Sequence, residues 1–224
     1  MEMSQQQSGF HASDGAAYEV WLGRWARQLA TAFLDFAELS EAGELLDVGC
    51  GTGALTLLMA QRWPERGVIG VDVAAPFLAY AKSRRVGDRP VFEPGDASAL
   101  KYEDGRFAGV TSQLLFVFVP KPEAALREMR RVTRSGGTVA AVVWDSRGGL
   151  VFQRMLWDTA VLIDPAARAV RDRLFASPVA NPGGLPEFSR LPASRQSRSG
   201  RSRSARRMRI SRTTGNRSWP ARDR

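Results

Sequence analysis

Apolar residues recur along this chain in two rhythms. In the first, Trp21, Trp25, Leu29, Phe33 and Phe36 fall three or four positions apart, the spacing of one helical face. A helix over 18–39 is therefore predicted to pack on the main domain, where Tyr18 or Arg24 can contribute to a ligand pocket; a membrane-surface or partner helix is the alternative. In the second, short apolar runs alternate with helical stretches: ELLDVG then ALTLLMAQRW, GVIGVDV then PFLAYAKSRR, PVFEPGD, RFAGVTSQLLFVFV then PEAALREMRRVT, and GGTVAAVVW then VFQRMLWDTAVLI. Continuous apolar strands joined by crossover helices predict a mostly parallel sheet covered on both faces, a doubly wound α/β domain. Ligands of such sheets bind outside the carboxyl ends of the strands, where strand order reverses. The run LLFVFVP after Gln113 is either the buried end of a strand or a pocket wall.

The two ends of the chain break this pattern. Residues 1–17 open with MEMSQQQSGF, a polar leader without the basic start and apolar centre of a signal peptide, and are predicted to be disordered. No apolar run reaches the length of a membrane span, so a cytoplasmic location is expected. Composition adds little for the body: 224 residues, 44% apolar and 25% charged, describe an ordinary globular domain. Charge does change the picture. Of the net +9, the segment Arg190–Arg224 holds twelve arginines, no lysine and one acid, Asp223, hence about +11 against −2 elsewhere. Nucleic-acid contact is thus expected only through that segment, and the six tryptophans are read as core or pocket lining. The single Cys50 excludes an internal disulfide, and one distant histidine, His11, argues against a metal site or a Cys/His catalyst.

Chemistry concentrates in LLDVGCGTGALT, Leu45–Thr56. Gly49, Gly51 and Gly53 stand at a strand end before a helix, where bare backbone and free helix N–H groups can approach a ligand. Gly49, Gly51 and Ala54 also satisfy the dinucleotide pattern G-x-G-x-x-[GA], and Asp72 lies near the distance of its ribose-binding acid. Spacing alone leaves NAD open. Asp47 favours another ligand: a carboxylate two residues before the first glycine disfavours a pyrophosphate and favours an ammonium or sulfonium group.

On these residues the chain resembles the class I S-adenosylmethionine-dependent methyltransferases of the compact, small-molecule type. DVGCGTG resembles their first motif, GVDVAAPFLAYA the second strand with its acid, EPGDASAL the third-strand loop, and GRFAGVTSQLLFVFVPKPEAALREMRRVTRSGGTVA the fourth strand through the fifth. The likeness runs from about Tyr18 to Asn181-Pro182-Gly183-Gly184, within a domain at 18–186 whose cofactor-binding core spans 43–145. It implies a Rossmann-like fold and S-adenosyl-L-methionine as cofactor. By the resemblance, the Gly49-Gly51-Gly53 loop, with Cys50, wraps the methionine portion and Asp47 reaches its amino group directly or through water. Asp72, beside Val73, accepts the ribose hydroxyls; Asp96 accepts the adenine amino group, and Ala97 offers a backbone N–H to the ring. Gln113 stands where the family often places a polar residue near the sulfonium and acceptor, a catalytic candidate that would orient the substrate. The reaction implied is in-line methyl transfer to a small molecule, in which alignment supplies much of the acceleration; no residue is marked as a base.

The segment 187–224 departs from that family. Its sheet closes with two further strands in an antiparallel hairpin, for which SRLPASRQSRSGRSRSARRMRISRTTGNRSWPARDR supplies no alternating apolar runs. The tail is expected to be disordered, leaving the fifth strand as an exposed edge. One reading makes it a basic nucleic-acid-binding arm. The other makes it the product of a shifted reading frame: with permitted codons, TTGNRSWPARD re-read one base earlier gives DYWQPLLAGQG, which resembles the end region of methyltransferases of this type.

Overall fold

A computed structural model describes residues 14–39, 42–145, 150–176, 179 and 207–213. Helix α1 (Gly15–Tyr18) leads through a five-residue π-helical turn (Glu19–Gly23) into α2 (Arg24–Ala37). There follow β1 (Leu45–Val48), α3 (Ala54–Arg62), β2 (Val68–Asp72), α4 (Ala75–Ser83), β3 (Val91–Pro94), β4 (Phe107–Gln113), α5 (Pro122–Val132), β5 (Thr133–Trp144), α6 (Val151–Ile163), α7 (Ala167–Phe175) and β6 (Arg207–Thr213). The sheet order is β3-β2-β1-β4-β5-β6, with every neighbouring pair parallel. Strand order reverses between β1 and β4, so the carboxyl ends of these two strands open the crevice expected of a doubly wound sheet.

Both faces are covered, as the continuous apolar strands require. Leu45 and Val68 pack with Phe33, Leu34, Leu55 and Met59 from α2 and α3 on one face. Leu46, Val48, Ile69 and Val110 pack with Leu126 and Met129 of α5 on the other. Fully burying side chains of this size stabilises by roughly 1.5–3 kcal/mol each, so alternate positions of one strand tie together two helical layers.

Three expectations need correction. The leader ends earlier than residue 17: Asp14 caps α1, its carboxylate accepting from the Ala16 and Ala17 N–H groups at 2.8 and 3.2 Å, which satisfies helix-start donors that otherwise lack partners. The remaining leader residues, 1–13, lie outside the described residues. The buried face of α2 is Ala26, Leu29, Ala30, Phe33, Leu34 and Ala37, whereas Trp25 is 47% exposed; alanines let the helix lie close to the sheet, and the indole is turned outward under Arg24, 5.0 Å from its ring centroid. Helix α6 forms as predicted but buries only Val161. The third concerns the tail. Its Arg207–Thr213 segment pairs with β5 from Thr138↔Arg207 to Trp144↔Thr213, so the β5 edge is covered by a parallel strand. Backbone N–H and C=O groups drive such pairing whatever the side chains, and RMRIS does alternate charged and apolar positions. No antiparallel hairpin occurs among the described residues. Segments 187–206 and 214–224, like Asn181–Gly184, lie outside them.

Candidate cofactor site

The glycine loop is held by main chain before any side chain acts. As β1 ends, the Gly49 and Cys50 N–H groups both donate to the Val71 carbonyl, at 2.8 and 2.9 Å, drawing the loop across the end of β2. Gly53 (φ +86°) turns the chain into α3, where an added Cβ would stand 2.9 Å from Phe92 and 3.1 Å from Ala81, so packing forbids a side chain. Gly51 is different. Its φ is +53°, yet its Cβ would meet nothing closer than Phe77 at 3.8 Å: that face of the loop is open to a ligand.

Asp72 ends β2 beside this opening. Its Oδ2 accepts from the Gly51 N–H and its Oδ1 from the Ala74 N–H, both at 2.8 Å. The helix-cap role that such an acid commonly plays is therefore present, but it uses one acceptor site per oxygen. A carboxylate has about four, so capacity remains for hydroxyl donors. Partial burial pushes the Asp72 pKa up, opposed by the backbone N–H groups of Ala74, Gly51 and Val73. Val73 itself is 58% exposed beside it.

Asp47 lies beneath the loop, 1% exposed. Thr56 donates its hydroxyl to Oδ2 at 2.7 Å; Thr111 stands 3.5 Å from Oδ1 and donates preferentially to the Leu46 carbonyl at 3.1 Å. Burial pushes its pKa up to about 7, further raised by Asp72 and opposed by the two threonines. The Cys50 side chain packs with Leu78, Ala81 and Phe92, and burial holds its thiol well above the usual range. The Cys50 N–H is given to the Val71 carbonyl and its C=O accepts from the Gly53 N–H at 2.9 Å.

The third-strand loop is tied to the same place. Gly95 donates its N–H to the Asp72 carbonyl at 3.0 Å. The next residue, Asp96, is exposed and folds back in a tight turn, accepting from the Ser98 N–H at 2.8 Å. The Ala97 side chain is buried in the main core. Gln113, at the end of β4, donates Nε2 to the Ala26 carbonyl at 2.9 Å, pinning α2 over the crevice. Its Oε1 is buried with no partner among the described residues, an acceptor that a donor within the crevice would satisfy.

Sequence reasoning missed most of the cover over this site. Glu19, in the π-helical turn, accepts from the Thr52 hydroxyl of the glycine loop at 2.5 Å and pairs with Arg27 and, at 3.4 Å, with Arg84. Such turns recur at functional positions because they push one residue out of helical register. Tyr18 stacks 5.1 Å from Phe77, and burial together with the nearby carboxylates of Glu19 and Asp72 pushes its phenol up to about 12. Gly15 packs against Tyr80, where a Cβ would come within 2.6 Å. The only hint in the sequence was the proximity of Tyr18 to a predicted pocket; Arg24 turns to solvent instead.

Comparison with known proteins points the same way. Residues 46–141 match a family described as a methyltransferase domain. A phosphatidylethanolamine N-methyltransferase of Cereibacter sphaeroides is 32% identical over 68% of this chain and 81% of that protein. A demethylmenaquinone methyltransferase of Roseiflexus castenholzii is 38% identical over 50% of this chain and 47% of its own. The chain spans about half the length of this and several other relatives. A solved complex of the Haloferax volcanii Trm112 methyltransferase activator with a methyltransferase matches 60% of this chain and 58% of that chain at 24% identity, with a TM-score of 0.51, a likeness of fold.

Proposed function

Since the chain belongs to the class I S-adenosylmethionine-dependent methyltransferases, we propose that it binds S-adenosylmethionine in the crevice between β1, β2 and β4 and transfers a methyl group to a small-molecule acceptor. The observation that carries this reading is the Asp72 carboxylate, held by two backbone donors with acceptor capacity to spare beside the open face of Gly51. That arrangement suits a ribose with its two hydroxyls. The dinucleotide reading lacks support: the relatives are methyltransferases, and the buried Asp47 would repel a pyrophosphate.

The cofactor supplies an activated methyl group on a sulfonium. This chain's own residues bind and orient. Asp72 fixes the sugar, and the Gly51 backbone allows close approach. Asp47 places a negative charge under the loop, opposite a cationic amino acid end. Asp96 offers its free Oδ2 to an exocyclic amine, with the Ala97 backbone beside it. Gln113 presents Oε1 toward the crevice while its amide holds α2 in place, and Tyr18 with α1 excludes water. Positioning of this kind can lower a barrier by roughly 7 kcal/mol or more without a general base. The acceptor is proposed to be apolar and small, of the kind named for the quinone relatives.

Calorimetric titration of the full chain with S-adenosylmethionine tests the proposal, with NAD as control. Saturable binding that Asp72→Ala abolishes, and that NAD does not reproduce, is expected. A folded chain that binds NAD but not S-adenosylmethionine would overturn it.

A further inference from the structure

Against α3 lies a second concavity of about 590 Å³. It is bounded by α2, by the residues entering β2 and by the segment between α4 and β3. Its charged lining is Arg27, Arg66, Arg84 and Arg89, with no carboxylate among the lining residues. Between the arginines the wall is mostly apolar, including Leu57 and Val86, the latter 92% exposed, with Thr31 and Gln61 as its uncharged polar members.

The guanidinium groups are under-compensated. Arg27 and Arg84 share one acid, Glu19, which also accepts from Thr52. Arg84 reaches the Thr52 carbonyl as well, at 3.3 Å. Among the described residues, Arg89 donates only to a neutral group, the Arg66 carbonyl. Arg66 is 8% exposed; its Nε donates to the Gly43 carbonyl at 2.7 Å and its guanidinium lies over the Trp63 ring, 5.4 Å from the centroid, while Nη1 and Nη2 have no hydrogen-bond partner among the described residues. Burial and the neighbouring Arg134 both weigh against its charge. Among the described residues, two of the four cations share one carboxylate and the other two donate only to carbonyls. A buried charge left without partners is costly, and a phosphate matches the planar guanidinium fork better than any neutral group.

We propose that this cavity is a binding site for an organic phosphate, an anionic phosphate ester carrying a compact apolar group, separate from the methyl-transfer crevice. The arginines take the phosphate, and Leu57 and Val86 take the apolar part. A volume of this size falls in the range of small-ligand pockets.

The test is titration of the full chain with phenyl phosphate, with inorganic phosphate and phenol as the separated halves. Saturable binding of phenyl phosphate, at least tenfold tighter than either half, is expected. Two variants locate it. Arg66→Lys removes the fork. Gln61→Glu places a carboxylate on the lining from an exposed position of α3, where the fold loses no contact. Each should weaken phenyl phosphate about tenfold, and Gln61→Glu should leave S-adenosylmethionine binding unchanged. Binding to the arginine-rich tail would be indifferent to Gln61→Glu, so an unchanged affinity in that variant overturns the proposal, as does the absence of saturable binding. Competition by phosphatidylcholine vesicles containing phosphatidic acid identifies the source: displacement assigns a lipid headgroup, and no displacement a soluble ester.

Discussion

Replacing Asp47 with asparagine should stabilise the ligand-free protein while weakening its cofactor binding. The carboxyl is 1% exposed, and its pKa is raised from 3.8 to about 7, mainly by burial. A carboxyl whose folded pKa lies above its unfolded value holds its proton more tightly when folded. Stability therefore falls as pH rises through the window between the two values, and the full cost is present above about pH 7. A shift of this size corresponds to about 4 kcal/mol at pH 8, of which about 3 kcal/mol develops between pH 5 and pH 8. Asparagine keeps the acceptor for the Thr56 hydroxyl, found at 2.7 Å, and removes the titration. Urea unfolding of both proteins at pH 5 and pH 8 is the assay. The advantage of Asp47→Asn should grow by about 3 kcal/mol between the two pH values, equivalent to roughly 6–12 °C in melting temperature. The same charge should matter for the ligand: affinity for S-adenosylmethionine in the wild type should fall roughly eightfold from pH 7.5 to pH 6 as Asp47 takes up a proton, and the asparagine variant should be weak and flat. A stability difference independent of pH, or an asparagine variant that binds as well as wild type at pH 7.5, would refute the reasoning.

The other expectations concern packing. Gly51→Ala should cost about 1 kcal/mol for its left-handed backbone alone yet weaken S-adenosylmethionine binding sharply. Gly53→Ala, whose Cβ would press on Phe92 at 2.9 Å, should cost roughly 3 kcal/mol; equal melting temperatures would contradict this ordering. Arg131 donates to the Leu100 and Tyr102 carbonyls at 2.8 and 2.7 Å and pairs with Glu128 and Asp104. Arg131→Met should therefore destabilise by roughly 2–3 kcal/mol and speed amide exchange across 100–104. Phe152→Ser and Met155→Ser, on the exposed side of α6, should each cost under about 1 kcal/mol, against about 3–5 for Phe33→Ala in the core. Chemical denaturation separates the two classes, and a cost above 2 kcal/mol at Phe152 would mean that α6 is covered.

Legibility in the sequence followed the range of the interactions involved. A parallel sheet covered on both faces needs both of two successive residues to be apolar, and Leu45-Leu46 and Val68-Ile69 state that locally. The glycine loop was legible for a similar reason: three left-handed turns in five residues leave few alternatives to glycine. Asp72 was legible as an acid at a strand end, but its fixed orientation depends on Gly51, 21 residues away. Glu19 shows where such reading stops. On a helix an isolated acid has the pattern of a solvated face, and its partner Thr52 is 33 residues distant. On α2 the predicted face holds at Leu29, Phe33 and the partly buried Phe36 and fails at Trp25, because hydrophobic size was weighed above fit while the buried side also takes Ala26, Ala30 and Ala37. In α6 the pattern predicted the helix correctly but not that only Val161 would be buried, because a helical repeat records which residues share a face and not what that face meets. The same distinction separates the two arginine environments. Arg131 finds carboxylates supplied by its own helix and by a loop nearby, whereas Arg66, with a sequence context just as ordinary, is brought by the fold to a buried place with too few partners. Charge pattern along the chain gives no warning of that imbalance, which arises only when α2, α3 and the entry to β3 close around one cavity.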